Sequence, residues 1–208
     1  LASALPALAA PAAPGPAEIP ARPEQLTYRP FVFAAPEGDK YRHTLPDGVV
    51  VYVVEDHSLP LVKLQATFRT GAFRENASET GLASMTAAMM RQGGTTRLSP
   101  EDFDQKADFL AAIVSSSAGA TSASAALDVI TPALGPGLDL LFDMVRNPRF
   151  DAARLEVHKS TALEEMKQRN DDAEDIASRE WSFLTRGESH YSSRRMTQAS
   201  LEAISREK

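Results

Sequence analysis

Residues 61–69 alternate without a break, with Val62, Leu64, Ala66 and Phe68 on one side and Lys63, Gln65, Thr67 and Arg69 on the other. A period of two puts the first set on one face of a strand and the second on the opposite face. Such a strand needs a partner for its backbone groups and an apolar layer over its inner face. The chain supplies both. Residues 49–54 read Val-Val-Val-Tyr-Val-Val behind a Leu45-Pro46-Asp47-Gly48 turn, a β-branched and aromatic run that predicts a hairpin arm. Residues 113–117 and 121–130, joined by Ala118-Gly119-Ala120, predict a second hairpin despite their many Ala and Ser.

The covering layer comes from helical patterns. Leu82, Met85 and Met89 recur at helical spacing over residues 81–90, before a Gln92-Gly93-Gly94 stop, and read as core. Ser99-Pro100-Glu101-Asp102 opens another helix, running to about Ala111, with a Ser cap, Pro at the first position and acid in the first turn. Further helices are predicted over residues 136–146, 151–170, 172–185 and, shorter, 198–206. Strands come first and helices accumulate after them. The expected fold is α+β, a largely antiparallel sheet covered by helices, and not a doubly wound parallel sheet.

The first 36 residues are of another kind, holding eight of the fourteen prolines and no periodic apolar face. They read as an extended, solvated tail. Its start, with Ala7-Leu8-Ala9, is like the end of a secretory signal, which predicts export to the periplasm or cell envelope. Residues 37–208 form the domain. No apolar run is long enough to span a membrane. A formal charge of -6 gives no basic excess for a phosphate backbone, so nucleic acid is not an expected partner. Zero cysteines exclude disulfides, thiolate zinc sites and cysteine nucleophiles. The histidines are His43, His57, His158 and His190.

Several short strings, in this order and spacing, resemble the N-terminal domain of the pitrilysin/insulinase family of zinc peptidases, in particular bacterial relatives of mitochondrial processing peptidase. They are Leu45-Pro46-Asp47-Gly48-Val49, Pro60-Leu61-Val62, Gly71-Ala72-Phe73-Arg74-Glu75, Gly81-Leu82-Ala83, Gly93-Gly94-Thr95, Asn147-Pro148-Arg149-Phe150 and Leu163-Glu164-Glu165-Met166. In active members Gly-Leu-Ala leads into His-x-x-Glu-His on a helix. Two imidazoles one turn apart grip zinc while the Glu reaches the bound water as general base. This chain has Ser84, Ala87 and Ala88 at those positions. The family's third ligand, a Glu on a second helix, corresponds to Glu165, with 76 residues between it and Ala88.

The resemblance therefore implies a homologue that has lost its zinc site and its catalysis. One carboxylate cannot replace the three or four donors of a zinc site, so no cofactor is expected. A rescue site built on His158 and Glu165 would have two donors and none from the first helix, which leaves a zinc metallopeptidase with a rearranged metal site as the competing reading. Ser84 as a nucleophile would need a base and an oxyanion hole, and no histidine is near it in sequence. Relatives of this type are often built of two subunits, one carrying the metal site and the other degenerate. This implies a scaffolding or peptide-binding partner, in a heterodimer, of an active zinc peptidase subunit. Substrate in active relatives adds as a strand to a sheet edge; the matching edge here is residues 113–117, with Val114, Ser115, Ser116 and Ser117 as candidate peptide contacts. Relatives continue beyond the equivalent of Lys208, so the chain is expected to be part of a longer subunit.

Overall fold

The computed structural model describes residues 37–207 together with Arg22, Glu24, Leu26, Phe33 and Ala35. The remainder of the tail expected over residues 1–36 lies outside the described residues. The fold divides after Glu55 into two units. In the first, strands β1 (Arg42–Thr44) and β2 (Val50–Tyr52) pair antiparallel, Thr44 opposite Val50. Their turn is closed by Leu45 N–H to Val49 O at 2.8 Å and Gly48 N–H to Leu45 O at 2.9 Å. Gly48 has φ +85, the left-handed region that the Asp-Gly pair makes accessible.

The second unit is built on a three-stranded antiparallel sheet. Strand β3 (Leu61–Phe68) pairs with β5 (Ala123–Ile130), which pairs on its other side with β4 (Ile113–Ala118). The hairpin predicted through Ala118-Gly119-Ala120 is present. One face carries Val114, Ala125, Leu127 and Val129, all buried. Against it pack helix α2 (Pro100–Phe109) and helix α3 (Leu134–Arg146), closing a core around Phe103, Leu140, Leu141 and Met144. The predicted inner face of β3 is less buried than its alternation implies: Val62, Leu64 and Ala66 are half-buried and Phe68 is exposed. The physical reason is local cover, since the end of β3 borders an open groove that Phe68 lines.

Helix α1 (Leu82–Gln92) lies over β4, and α4 (Ala152–Gln168) packs on α1 through a second cluster. That cluster joins Met85 and Met89 of α1 to Leu155, Leu163 and Met166 of α4, and Leu201 of the short helix α6 (Gln198–Glu202) completes it. Helix α5 (Ala173–Arg186) follows α4. Ser99 caps α2, its hydroxyl accepting from Asp102 N–H at 3.1 Å. The helix ends at Phe109, short of the predicted Ala111, because Ala111 turns left-handed at φ 48 and its N–H closes on Asp108 O. Asp151 and Asp172 cap α4 and α5 in the same way as Ser99 caps α2.

One buried carboxylate ties α3 to the loop after α1. Asp143 accepts two hydrogen bonds from Arg97, at 2.6 and 3.0 Å, and one from Asn147 at 2.9 Å. Burial pushes its carboxyl up, but the bonds from Arg97, Thr95 and Asn147 outweigh that and hold it at about 2. A folded-state value below the unfolded one contributes stability that is complete above about pH 4 and lost as pH falls towards 2. Because Arg97 is exposed, the solvent-screened contribution is about 1–2 kcal/mol. Denaturant titrations of the wild type and Asp143→Asn should therefore differ at pH 7 and converge near pH 2. An equal gap at both would remove the carboxylate from the account.

Candidate functional site

The start of α1 is held by a side chain that the sequence pattern did not single out. Glu75 accepts from Gly81 N–H at 3.0 Å and Ala83 N–H at 2.7 Å, taking two of the helix's otherwise unpaired donors and placing negative charge at its positive end. Gly81 itself sits at φ +103, which is why the Gly-Leu-Ala string begins with glycine. Behind Glu75, Gly71 meets the β4–β5 turn so closely that a Cβ would lie 2.4 Å from Gly119 O. Ala72 N–H and Phe73 N–H donate to Gly119 O and Ala120 O, each at 3.0 Å. This loop fixes the entry of α1 against the sheet.

Along α1, Ser84 is exposed and its hydroxyl donates back to Gly81 O at 2.9 Å. Ala87 is buried and faces the sheet side, and Ala88 is half-buried. Ala88 lies between Met85 and Met89, the residues that meet α4. On α4, Glu165 is exposed between Ala162 and Met166, which pack into the same cluster. His158 Nε2 and Gln92 Oε1 are hydrogen-bonded across the two helices. One helical face thus carries Ser84, Ala88 and Gln92, and the opposing one carries Glu165 and His158.

Strand β4 is a sheet margin, paired with β5 alone among the described residues. Gly119 N–H donates to Ser122 O at 2.8 Å, and antiparallel ladders alternate from there. The backbone groups of Ser115 and Ser117 therefore turn towards β5, and those of Val114, Ser116 and Ala118 turn outward. Arg91 covers the first of these, its Nε–H donating to Val114 O at 2.8 Å while its guanidinium pairs with Asp104 at 2.7 Å. Beside the open stretch lies a mainly apolar groove of about 410 Å³, walled by Phe68, Leu82, Ala87, Met90, Ser116 and Ala125. The strand is legible in the sequence, whereas Arg91 and the groove have no local signature there.

The sequence model of the insulinase family (Peptidase family M16) matches residues 50–197. The chain belongs to that family. Among solved structures, the peptidase M16 inactive domain from Pseudomonas fluorescens is similar at TM-score 0.68 and 24% identity over 78% of this chain and 42% of that one. The periplasmic protease PqqL from Escherichia coli is similar at TM-score 0.63 and 12% identity, over 78% of this chain and 18% of that one. A protease from Helicobacter pylori gives 0.65 and 15%, over 80% and 40%. This M16 chain therefore spans less than half the length of these relatives. No curated protein matches it in sequence.

Family membership makes zinc the group to test against α1 and α4. The residues present do not fit it. Ala87 and Ala88 have no donor atom, the Ser84 hydroxyl is turned to Gly81 O, and His158 is engaged with Gln92. Among the described residues no group of three or more His, Cys, Asp or Glu side chains stands where it could hold a metal. Among them, too, no helix is long and apolar enough to cross a membrane.

Proposed function

We propose that this M16 chain is a non-catalytic subunit that scaffolds, or presents peptide to, an active zinc metallopeptidase subunit in the cell envelope. In this reading residues 37–208 are its peptidase-like N-terminal domain, behind an extended Pro/Ala tail. The observation that carries it is the pairing of an intact α1, capped by Glu75 and packed on α4, with Ser84, Ala87 and Ala88 at the donor positions. The scaffold is retained where the chemistry is missing. The relative described as a peptidase M16 inactive domain and the periplasmic relative support the reading.

The peptide-binding part rests on β4. An extended peptide needs backbone partners on one side and a pocket for alternate side chains on the other. The outward groups of Ser116 and Ala118 supply the first, and the adjoining groove, of a size for an apolar side chain, supplies the second. Ser116→Pro removes an outward N–H without touching the ladder to β5, a placement that proline tolerates at a sheet margin. It should weaken binding of extended apolar peptides about tenfold or more, as a lost hydrogen bond to a buried partner does, with little change in melting temperature. Unchanged affinity would exclude strand addition at β4. The subunit role has its own test: the purified chain should hold no stoichiometric zinc, and adding it to an active M16 subunit should raise peptide hydrolysis. Hydrolysis unaffected at every ratio would overturn that role.

A further inference from the structure

The end of α4, one side of α5 and the stretch before α6 line an open cleft of about 360 Å³ with a basic wall. Arg169 comes from the C-cap of α4, Arg179 from α5, and Arg194 and Arg195 from the stretch before α6. Ser178 and Ser182, one turn apart on α5, add hydroxyls, and no carboxylate lines the cavity among the described residues. In a chain of net charge -6 this is a local inversion of sign.

How the arginines are held matters more than their number. Arg169 donates to Met196 O at 3.1 Å, Arg179 to Asn170 Oδ1 at 2.9 Å, and Arg194 to Glu75 O at 2.5 Å and Ser189 O at 3.3 Å. These acceptors are neutral, so they orient the guanidinium groups without cancelling their charge. Arg195 alone of the four has a carboxylate partner, Glu180 at 2.6 Å. A guanidinium carries five N–H donors in a planar fork, and these bonds use one or two.

We propose that this cavity binds a small, multiply charged oxyanion, either phosphate-based or a polycarboxylate. Such a ligand would accept forked hydrogen bonds from Arg169, Arg179 and Arg194 and a bond from the hydroxyl of Ser178 or Ser182. The site shares no lining residue with the groove beside β4, so it stands or falls independently of the peptide-binding reading.

The test is calorimetric titration of the whole chain with pyrophosphate, inorganic phosphate and citrate, against sodium chloride at matched ionic strength. Saturable binding of one anion per chain is expected, weakened about tenfold or more by Arg179→Gln and by Arg169→Gln. Arg146→Gln, on α3 away from the cavity, should leave it unchanged. Pyrophosphate binding tighter than citrate identifies a phosphate ligand, and the reverse order a polycarboxylate. Circular dichroism checks that both arginine variants fold, which is expected because each makes a single hydrogen bond, to one neutral oxygen. Absence of saturable binding by all three anions, or wild-type affinity in both folded variants, would overturn the proposal.

Discussion

Ser84→His, Ala87→Glu and Ala88→His, introduced together, should give a chain that binds about one zinc ion with micromolar affinity or better, about 8 kcal/mol. The expectation rests on the helix pair. Met85 and Met89 flank Ala88, Ala162 and Met166 flank Glu165, and these four lie in one cluster. The hydrogen bond between Gln92 and His158 ties the same two faces further along. Imidazoles at 84 and 88 would meet the Glu165 carboxylate as three donors, the minimum that a zinc site with an open position uses. Space is available, because Ser84 is exposed and Ala87 borders the groove of about 410 Å³. Peptide hydrolysis need not follow, since binding a metal and orienting a substrate are separate requirements. Metal analysis after dialysis decides the matter. A triple variant that folds but stays free of zinc would show that α1 and α4 do not bring positions 84, 88 and 165 together.

The largest loss of stability from a single substitution is expected for Phe103→Ala. Its ring is fully buried between α2, α3 and the sheet, and it is the largest fully buried side chain among the described residues. Truncating such a ring removes its transfer energy and leaves a cavity, about 3–5 kcal/mol together. At about 2–4 °C per kcal/mol for a chain of this size, the melting temperature should fall by about 10 °C. There is a functional consequence as well. The Arg91 guanidinium stacks over this ring, 4.9 Å from its centre, while its Nε–H covers Val114 O at the margin of β4. Without the ring, Arg91 keeps Asp104 but loses the surface that fixes its height. Phe103→Leu, which fills most of the volume, should cost less than half as much. Thermal unfolding of the two variants is the measurement, and a loss below about 1 kcal/mol for Phe103→Ala would mean that the core closes over the gap.

Strand β4 shows what local pattern can and cannot reveal. Residues 113–117 were identifiable as a strand, and β4 is present there. Which of their backbone groups face outward depends on the register with β5, set by Gly119 and Ser122 closing the hairpin. Arg91 reaches Val114 from 23 positions away along the chain, and no local pattern announces such a contact. Glu75 is similar: it belongs to a string that the family resemblance drew on, but its role as the cap of α1 is visible only when the loop folds back. The basic cavity draws its arginines from three separate segments, each unremarkable as sequence.

By itself the sequence determined what depends on local periodicity and capping. That covers the alternation of β3, the hairpins around Asp47-Gly48 and Gly119, the Ser99 and Asp151 helix starts, and the antiparallel α+β class. It also determined the absence of imidazole and carboxylate groups at positions 84, 87 and 88, because composition at a position needs no structure to be read. Tertiary structure decided what depends on distant segments meeting. The open groove at the end of β3 left Phe68 exposed, although its pattern marked it for burial. Packing of Met85 and Met89 against Ala162, Leu163 and Met166 joined α1 to α4, and the turn back after α5 gathered four guanidinium groups around one cavity. Burial and charge proximity are properties of neighbours in space, and chain order fixes those only within a turn of helix or a tight hairpin.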